Sequence, residues 1–231
     1  MKNCDALQFK IGARSLLGIA LSTLYLAGCM TTRIEETKNS ATGLLAGESV
    51  VILEASYHQG NTTEDGFLDC ISKTVQKGRN KIAVYPEQKF VDALFPWFEP
   101  RTMPEGPDAL PDLMRHPGVA ERLKESGVRY IIWVTGNTER SASGGSLSCA
   151  IAPGGGGCFG LAWWENDSSY SAAIWDIHDG KSAGQVSAEV HGTSVIPAII
   201  IPVPIIARTQ AAACKGLAGE LKTFITDSGP L

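Results

Sequence analysis

The chain has 231 residues, of which 20 are Lys or Arg and 24 are Asp or Glu, so its formal net charge is −4 at pH 7. An acidic chain without a basic cluster argues against nucleic-acid binding, and no nucleic-acid partner is expected. A hydrophobic content of 44% is ordinary for a globular protein, and this length suits one sizeable core or two small domains.

The N-terminal segment has the pattern of a secretory signal. Three basic residues precede an apolar run over residues 16–26, which is too short to span a bilayer. The run closes in Leu-Ala-Gly-Cys, ending at Cys29, which resembles the lipobox of bacterial lipoproteins. The resemblance implies that residues 1–28 are a lipoprotein signal peptide, cleaved before a lipidated Cys29. An ordinary signal peptide that contains a cysteine is the alternative.

The lipid on Cys29 is the predicted link to the membrane. No segment after it reaches the roughly 20 apolar residues of a spanning helix, and two or more acyl chains are enough for stable anchoring. Met30, rather than Asp, follows the cysteine, which favours the outer membrane of a Gram-negative host, with the protein facing the periplasm. Residues 29–47 are polar and lack apolar periodicity, which predicts a flexible tether behind the lipid.

The remaining chain, residues 48–227, is predicted to form one periplasmic α+β domain. Apolar periodicity predicts strands over 49–53, 82–85, 129–136, 169–177 and 182–193, and helices over 67–75, 87–95, 118–126 and 210–225. Two stretches interrupt the pattern as insertions: the Pro-rich residues 96–111, predicted as a rigid extended connector, and the Gly-rich residues 141–166.

Four cysteines remain after Cys29 and the signal peptide, an even number in an oxidising compartment. Cys149 and Cys158 bracket a short Gly-rich loop, so their closure is local. That leaves Cys70 and Cys214, each in a predicted helix, for the second pair. Four free buried thiols are the alternative, and a zinc site is disfavoured because no close Cys-x-x-Cys pair occurs.

The order strand, helix, strand, helix, helix, strand, hairpin, helix resembles a domain of known envelope proteins. These are the curli-secretion lipoprotein, the penicillin-binding-protein activator lipoproteins and the amino-terminal domain of TolB. Residues 127–136 resemble the middle strand of that domain, and residues 173–181 resemble its hairpin. The resemblance implies a mixed β-sheet of about four to five strands with helices packed on one face. In such a fold the first and last helices lie side by side, which suits a Cys70–Cys214 bond.

Aromatic residues supply the candidate binding surface. Trp97, Phe98 and Arg101 in the Pro-rich segment, with Trp163 and Trp164 after the Gly-rich loop, are of the residue types that dominate binding hot spots. The alternative is that one loop packs against the other, with Arg101 pairing locally. No pattern typical of a catalytic, metal or cofactor site is found, since the four histidines are scattered and no nucleophile elbow occurs.

Residues 195–207 form an apolar run with three prolines, for which three interpretations are open: a covering loop, an oligomer contact or a membrane-touching tip. The expected function is that of a non-enzymatic, lipid-anchored module that binds another envelope protein or its own copies. A subunit of an oligomeric secretion or pore complex, and a hydrolase with an unrecognised site, are the alternatives. The run does not alternate apolar and polar residues, which argues against a pore.

Overall fold

The computed structural model describes residues 30–54, 63–99, 102–104 and 107–226. Within them, five strands form one mixed sheet in the order β1-β5-β4-β3-β2. The strands are β1 Met30–Lys38, β2 Ser49–Glu54, β3 Val128–Ala152, β4 Gly155–Asp176 and β5 Lys181–Ile200, and the helices are α1 Asp65–Val75, α2 Glu87–Ala93, α3 Leu110–Met114, α4 Val119–Glu125 and α5 Thr209–Thr226. Only the β2–β3 pair is parallel. The predicted fold class, α+β with a mixed sheet of four to five strands, is confirmed.

One sheet face, called here the α1/α5 face, is covered by the first and last of these helices. Phe67 of α1 stacks on Tyr170 of β4 with ring centroids 3.5 Å apart. Leu217 and Leu221 of α5 are fully buried in the same cluster. The Cys70–Cys214 disulfide joins the two helices at a Cα–Cα distance of 6.3 Å, which confirms the predicted pair. By the chain-entropy estimate, closing so long a loop contributes about 5 kcal/mol.

The opposite face, called here the α2–α4 face, carries a second core. Phe90, Leu110 and Leu123, one from each short helix, pack there with Trp133 of β3 and Trp175 of β4. The prediction of helices on one face therefore describes only α1 and α5. The predicted helices 87–95 and 118–126 are present as α2 and α4, but their place on this second face, and the five-residue α3 among the prolines, were not predicted.

The polar residues after Cys29 are an edge strand and not a flexible tether. Met30–Lys38 pairs with β5 along its whole length, from Met30 opposite Gly192 to Lys38 opposite Gly184. The segment that follows is also fixed, because the Thr42 hydroxyl donates to the carbonyl of Phe224. The tether prediction is wrong for these residues because ladder hydrogen bonds, which leave no apolar pattern in the sequence, hold β1 in place.

Two further local predictions differ from the structure. Residues 82–85 do not form a full strand but make one parallel bridge, between Val84 and Val50. The described end of the Pro-rich stretch is not extended: Pro107–Ala109 is a 3-10 turn that leads into α3, where proline suits a first helical turn. None of the helices in the described part of the chain is long and apolar enough to cross a membrane.

Candidate functional site: an uncharged β-arm

Strands β3, β4 and β5 run on beyond the two helix layers as a three-stranded arm. The junction lies at a β-bulge between Arg140 and Ala142, where the β3–β4 register shifts. Past it, β3 and β4 stay paired from Ala142 opposite Glu165 to Ala152 opposite Gly155. The stretch predicted as a Gly-rich insertion, 141–166, is therefore regular antiparallel sheet, and the arm is defined here as residues 141–164 and 192–207.

The arm contains no Asp, Glu, Lys, Arg or His. Charged residues resume at its base, with Glu139 and Arg140 before it, Glu165 and His191 beside it, and Arg208 after it. Because exposed β-sheet usually carries charged residues that limit edge pairing and aggregation, this composition marks the arm as different from the rest of the surface.

Large apolar side chains of the arm are exposed on both of its faces. On the extension of the α2–α4 face, Phe159 is 75% exposed and lies opposite Ile199, which is 77% exposed. On the other face, Ile200 is 69% exposed and lies opposite Cys158. The exposed set comprises Leu147, Ile151, Phe159, Leu161, Ile199, Ile200, Ile201, Val203 and Ile206. A patch of this kind marks an interaction surface.

A disulfide closes the arm near its tip. Cys149 and Cys158 are directly opposite each other, with Cα atoms 4.0 Å apart. The second predicted pair is therefore also confirmed. Its place differs from the prediction, since it staples two regular strands rather than an irregular loop.

Trp163 and Trp164 form the base of the arm, one on each face. The Trp163 indole lies over Gly144, where a β-carbon would come within 3.0 Å of the ring. The Arg140 guanidinium lies over the Trp164 ring, 5.7 Å from its centroid. Glycine at 144 thus makes room for one indole, and a cation from the domain side contacts the other.

The same level of the sheet is also where the described chain begins. Met30 lies opposite Gly192, two and three residues before Ser194 and Val195, which pair with Trp164 and Trp163, and β1 runs away from the arm. Cys29 directly precedes Met30 in the sequence. Cys29 itself lies outside the described residues.

A polar pair occupies the α2–α4 face just below the arm. His191 Nδ1 lies 2.7 Å from Asp167 Oδ1. Hydrogen bonds from His191 and from Ser141, the residue at the bulge, hold the pKa of the Asp167 carboxyl below its usual value. These contacts fix the junction between arm and domain.

The predicted aromatic surface is not one surface in the structure. Phe98 is fully buried in the core of the α2–α4 face, 5.1 Å from the Phe90 ring, so it cannot contact a partner. Trp97 is half-buried and packs near His116, with ring centroids 5.6 Å apart. Arg101 lies outside the described residues. Of the five candidates, only Trp163 and Trp164 belong to the arm.

Two other polar clusters in the domain are held by hydrogen bonds between their own residues. Arg129 donates to Asp176 through Nη2 at 2.6 Å, and that carboxylate is 1% exposed. Glu64 accepts from the Tyr170 hydroxyl at 2.6 Å, and burial together with this bond raises the pKa of Tyr170. Across the described ranges, no group of three or more His, Cys, Asp or Glu side chains is placed to hold a metal ion.

Comparison with known proteins gives little further guidance. The chain matches no family model and no curated protein. Among solved structures it is similar to the PelC dodecamer from Paraburkholderia phytofirmans, at 12% identity and a TM-score of 0.37. It is also similar to a point variant of that dodecamer, at 10% identity and a TM-score of 0.39. Each match covers 85% of this chain and 99% of the PelC chain. Both TM-scores are too low to assign fold or function.

Proposed function

We propose that the chain is a lipid-anchored envelope lipoprotein with a non-enzymatic role, and that its arm enters the membrane to which Cys29 is attached. The outer membrane, seen from the periplasm, is the proposed location. The resemblance to the curli-secretion, penicillin-binding-protein activator and TolB domains forms part of this proposal. The membrane replaces the aromatic loop surface as the favoured partner, because Phe98 is buried.

The observation that carries the proposal is the exposure of uncharged, apolar side chains on both faces of the arm. Fully burying one Val, Leu, Ile or Phe side chain is worth about 1.5–3 kcal/mol. The arm exposes nine such large side chains, several of them by more than half. A covering loop, one of the three interpretations of residues 195–207, does not account for this exposure, since these residues themselves belong to the arm.

The dimensions of the arm suit a bilayer. The ten residues of β4 from Gly155 to Trp164 are about 33 Å long at about 3.3 Å per residue, and a hydrocarbon core is about 30 Å thick. Tryptophan is enriched at membrane interfaces, where its ring is half in water. Trp163 and Trp164 stand at that level, beside the point where the chain leads back to Cys29.

Flotation with phospholipid vesicles tests the proposal without the lipid. The mature chain with Cys29→Ser is expected to float with zwitterionic vesicles. The double variant Phe159→Lys/Ile199→Lys is expected to stay in solution, because two charges would enter the hydrocarbon. Leu45→Lys is the matched control, since Leu45 is 73% exposed but lies in the domain. The proposal would be overturned if the Cys29→Ser parent, the double variant and Leu45→Lys all floated equally, or if the Cys29→Ser parent did not float.

An oligomeric assembly is the second candidate, because copies of the chain could also cover the apolar faces of the arm. Light scattering of the detergent-solubilised protein, combined with the flotation assay, distinguishes the two. A large assembly whose arms remain inaccessible to lipid favours this candidate, and a protein that floats with vesicles favours the first.

A further inference from the structure

The two long edges of the arm differ in what they offer to another strand. One edge is the outer side of β3, called here the β3 edge. The other belongs to residues 202–206, which fold back along β5 and are called here the return segment. An unpaired strand edge is a template for pairing with another chain, so the contrast between these edges limits how copies can associate.

The β3 edge is open within the described part of the chain. β2 pairs with β3 only as far as Glu54 opposite Val134. Further along, the Thr138 N–H donates to Glu64 Oε1 at 3.0 Å. Beyond the bulge, no described residue forms a backbone hydrogen bond with the outer side of β3.

The spacing of the strands shows which groups point outward. Cys149 and Cys158, with Cα atoms 4.0 Å apart, form a non-hydrogen-bonded pair, since such pairs have Cα atoms about 4.5 Å apart and hydrogen-bonded pairs about 5.5 Å. The N–H and C=O groups of Cys149 therefore point away from β4. With a period of two residues, those of Gly145, Leu147 and Ile151 do the same.

The return segment is blocked by proline. Val195 and Ile205 exchange two hydrogen bonds, at 2.9 and 2.8 Å, and the Val203 N–H donates to the Pro197 carbonyl at 3.1 Å. The amides of Val203 and Ile205 thus point inward, toward β5. The alternate, outward positions are 202, 204 and 206, and two of these three are prolines, which have no N–H to offer; only Ile206 keeps one.

We propose that the β3 edge of the arm pairs with the β3 edge of a second copy, antiparallel and around a two-fold axis. A head-to-tail chain of arms would need both edges, and prolines leave the return segment with a single outward N–H, that of Ile206. A two-fold contact needs only the open edge, which it uses twice. The edge carries no charge, so two copies meet there without repulsion.

This pairing goes beyond the proposed function and does not depend on it. It would also serve a membrane-embedded arm, because hydrocarbon cannot satisfy open N–H and C=O groups. The test therefore measures association in detergent, apart from vesicle binding. A dimer that fails to float with vesicles would support this inference and overturn the proposed function. A monomer that floats with vesicles would support the proposed function and overturn this inference.

Leu147→Pro tests the pairing, because it removes an outward N–H and leaves the β3–β4 ladder intact. Leu147→Ser is the matched control, since it removes the same side chain and keeps the N–H. By native mass spectrometry of the lipidated full chain in detergent, the parent and Leu147→Ser are expected to be dimers. Leu147→Pro is expected to raise the dimer dissociation constant at least about tenfold.

Three results would overturn the inference: a monomeric parent, a larger ring, or a dimer that tolerates Leu147→Pro. Amide hydrogen exchange on the parent gives an answer even if that variant fails to fold. The amides of Gly145, Leu147 and Cys149 should become protected as the protein concentration rises. Exchange that does not depend on concentration would count against the pairing, as would protection only after addition of another envelope protein.

Discussion

The same three strands live in two different environments along their length. In the domain, β3 and β4 are covered on both faces, so that Trp133 is 2% and Tyr170 is 1% exposed. In the arm, Phe159 and Ile199 on the continuing strands are 75% and 77% exposed. The strands stay paired on both sides of the β-bulge at the junction, so the main difference lies in what covers the faces. In the domain half, helices of the same chain cover both faces of the sheet. The arm half has the uncharged, apolar composition of a segment that another molecule covers.

The largest expected effect is on the free energy of unfolding, which a substitution in the domain half should lower far more than one in the arm half. Trp133→Ala should lower the free energy of unfolding by about 3–5 kcal/mol, because it leaves a cavity in a close-packed core. Phe159→Ala should change it by less than about 0.5 kcal/mol, because that ring is exposed in the isolated protein. Urea unfolding of both variants in water checks this. Similar losses in the two variants would mean that the arm is part of the folded core and would break the comparison.

A smaller effect, on the pH dependence of stability, is expected within the domain, where Glu220 of α5 faces Glu36 of β1. Burial and the neighbouring Glu36 raise the pKa of Glu220, so the folded state favours its protonated form. The stability linked to that proton is present below about pH 4.5, the ordinary pKa of Glu, and is lost as pH rises through the raised value.

Glu220→Gln carries no charge at any pH and should therefore raise the Tm at pH 7.5, by only about 1 °C because the site is half-buried and still partly screened by solvent. At pH 4 the variant and the parent should melt together, because Glu220 is then protonated. Thermal unfolding followed by circular dichroism at the two pH values is the measurement. A stabilisation of equal size at pH 4 would show that the charge of Glu220 is not its cause.

Much of the domain could be predicted from the sequence, because its elements carry their own apolar pattern. Residues 129–136 are rich in aromatic and β-branched residues, and they contain the buried run 130–134 of β3. The helical spacing around Cys70 and Cys214 placed both cysteines on helices that meet. In these places local pattern and tertiary contact agree.

The arm and β1 were missed for physical reasons that differ. β1 has Thr and Glu at most positions and is held by backbone hydrogen bonds to β5. Pairing with a distant strand leaves no apolar periodicity in the sequence of β1, so the sequence pattern did not predict it. The arm was interpreted as loop because Gly, Ser and Pro usually break strands. Here Gly144 makes room for the Trp163 indole, and the prolines of the return segment stand where no N–H is needed. The absence of charge over residues 141–164 was the signal that could have found it.

The central claim is that the tip of the arm lies in the hydrocarbon of the membrane that holds Cys29. A tryptophan at position 159 reports on this directly, in the lipidated protein reconstituted into vesicles. The account predicts that the emission added by Phe159→Trp is quenched by phospholipids brominated in their acyl chains and is protected from acrylamide. Emission that acrylamide quenches and brominated lipid does not would place the tip in water and contradict the account.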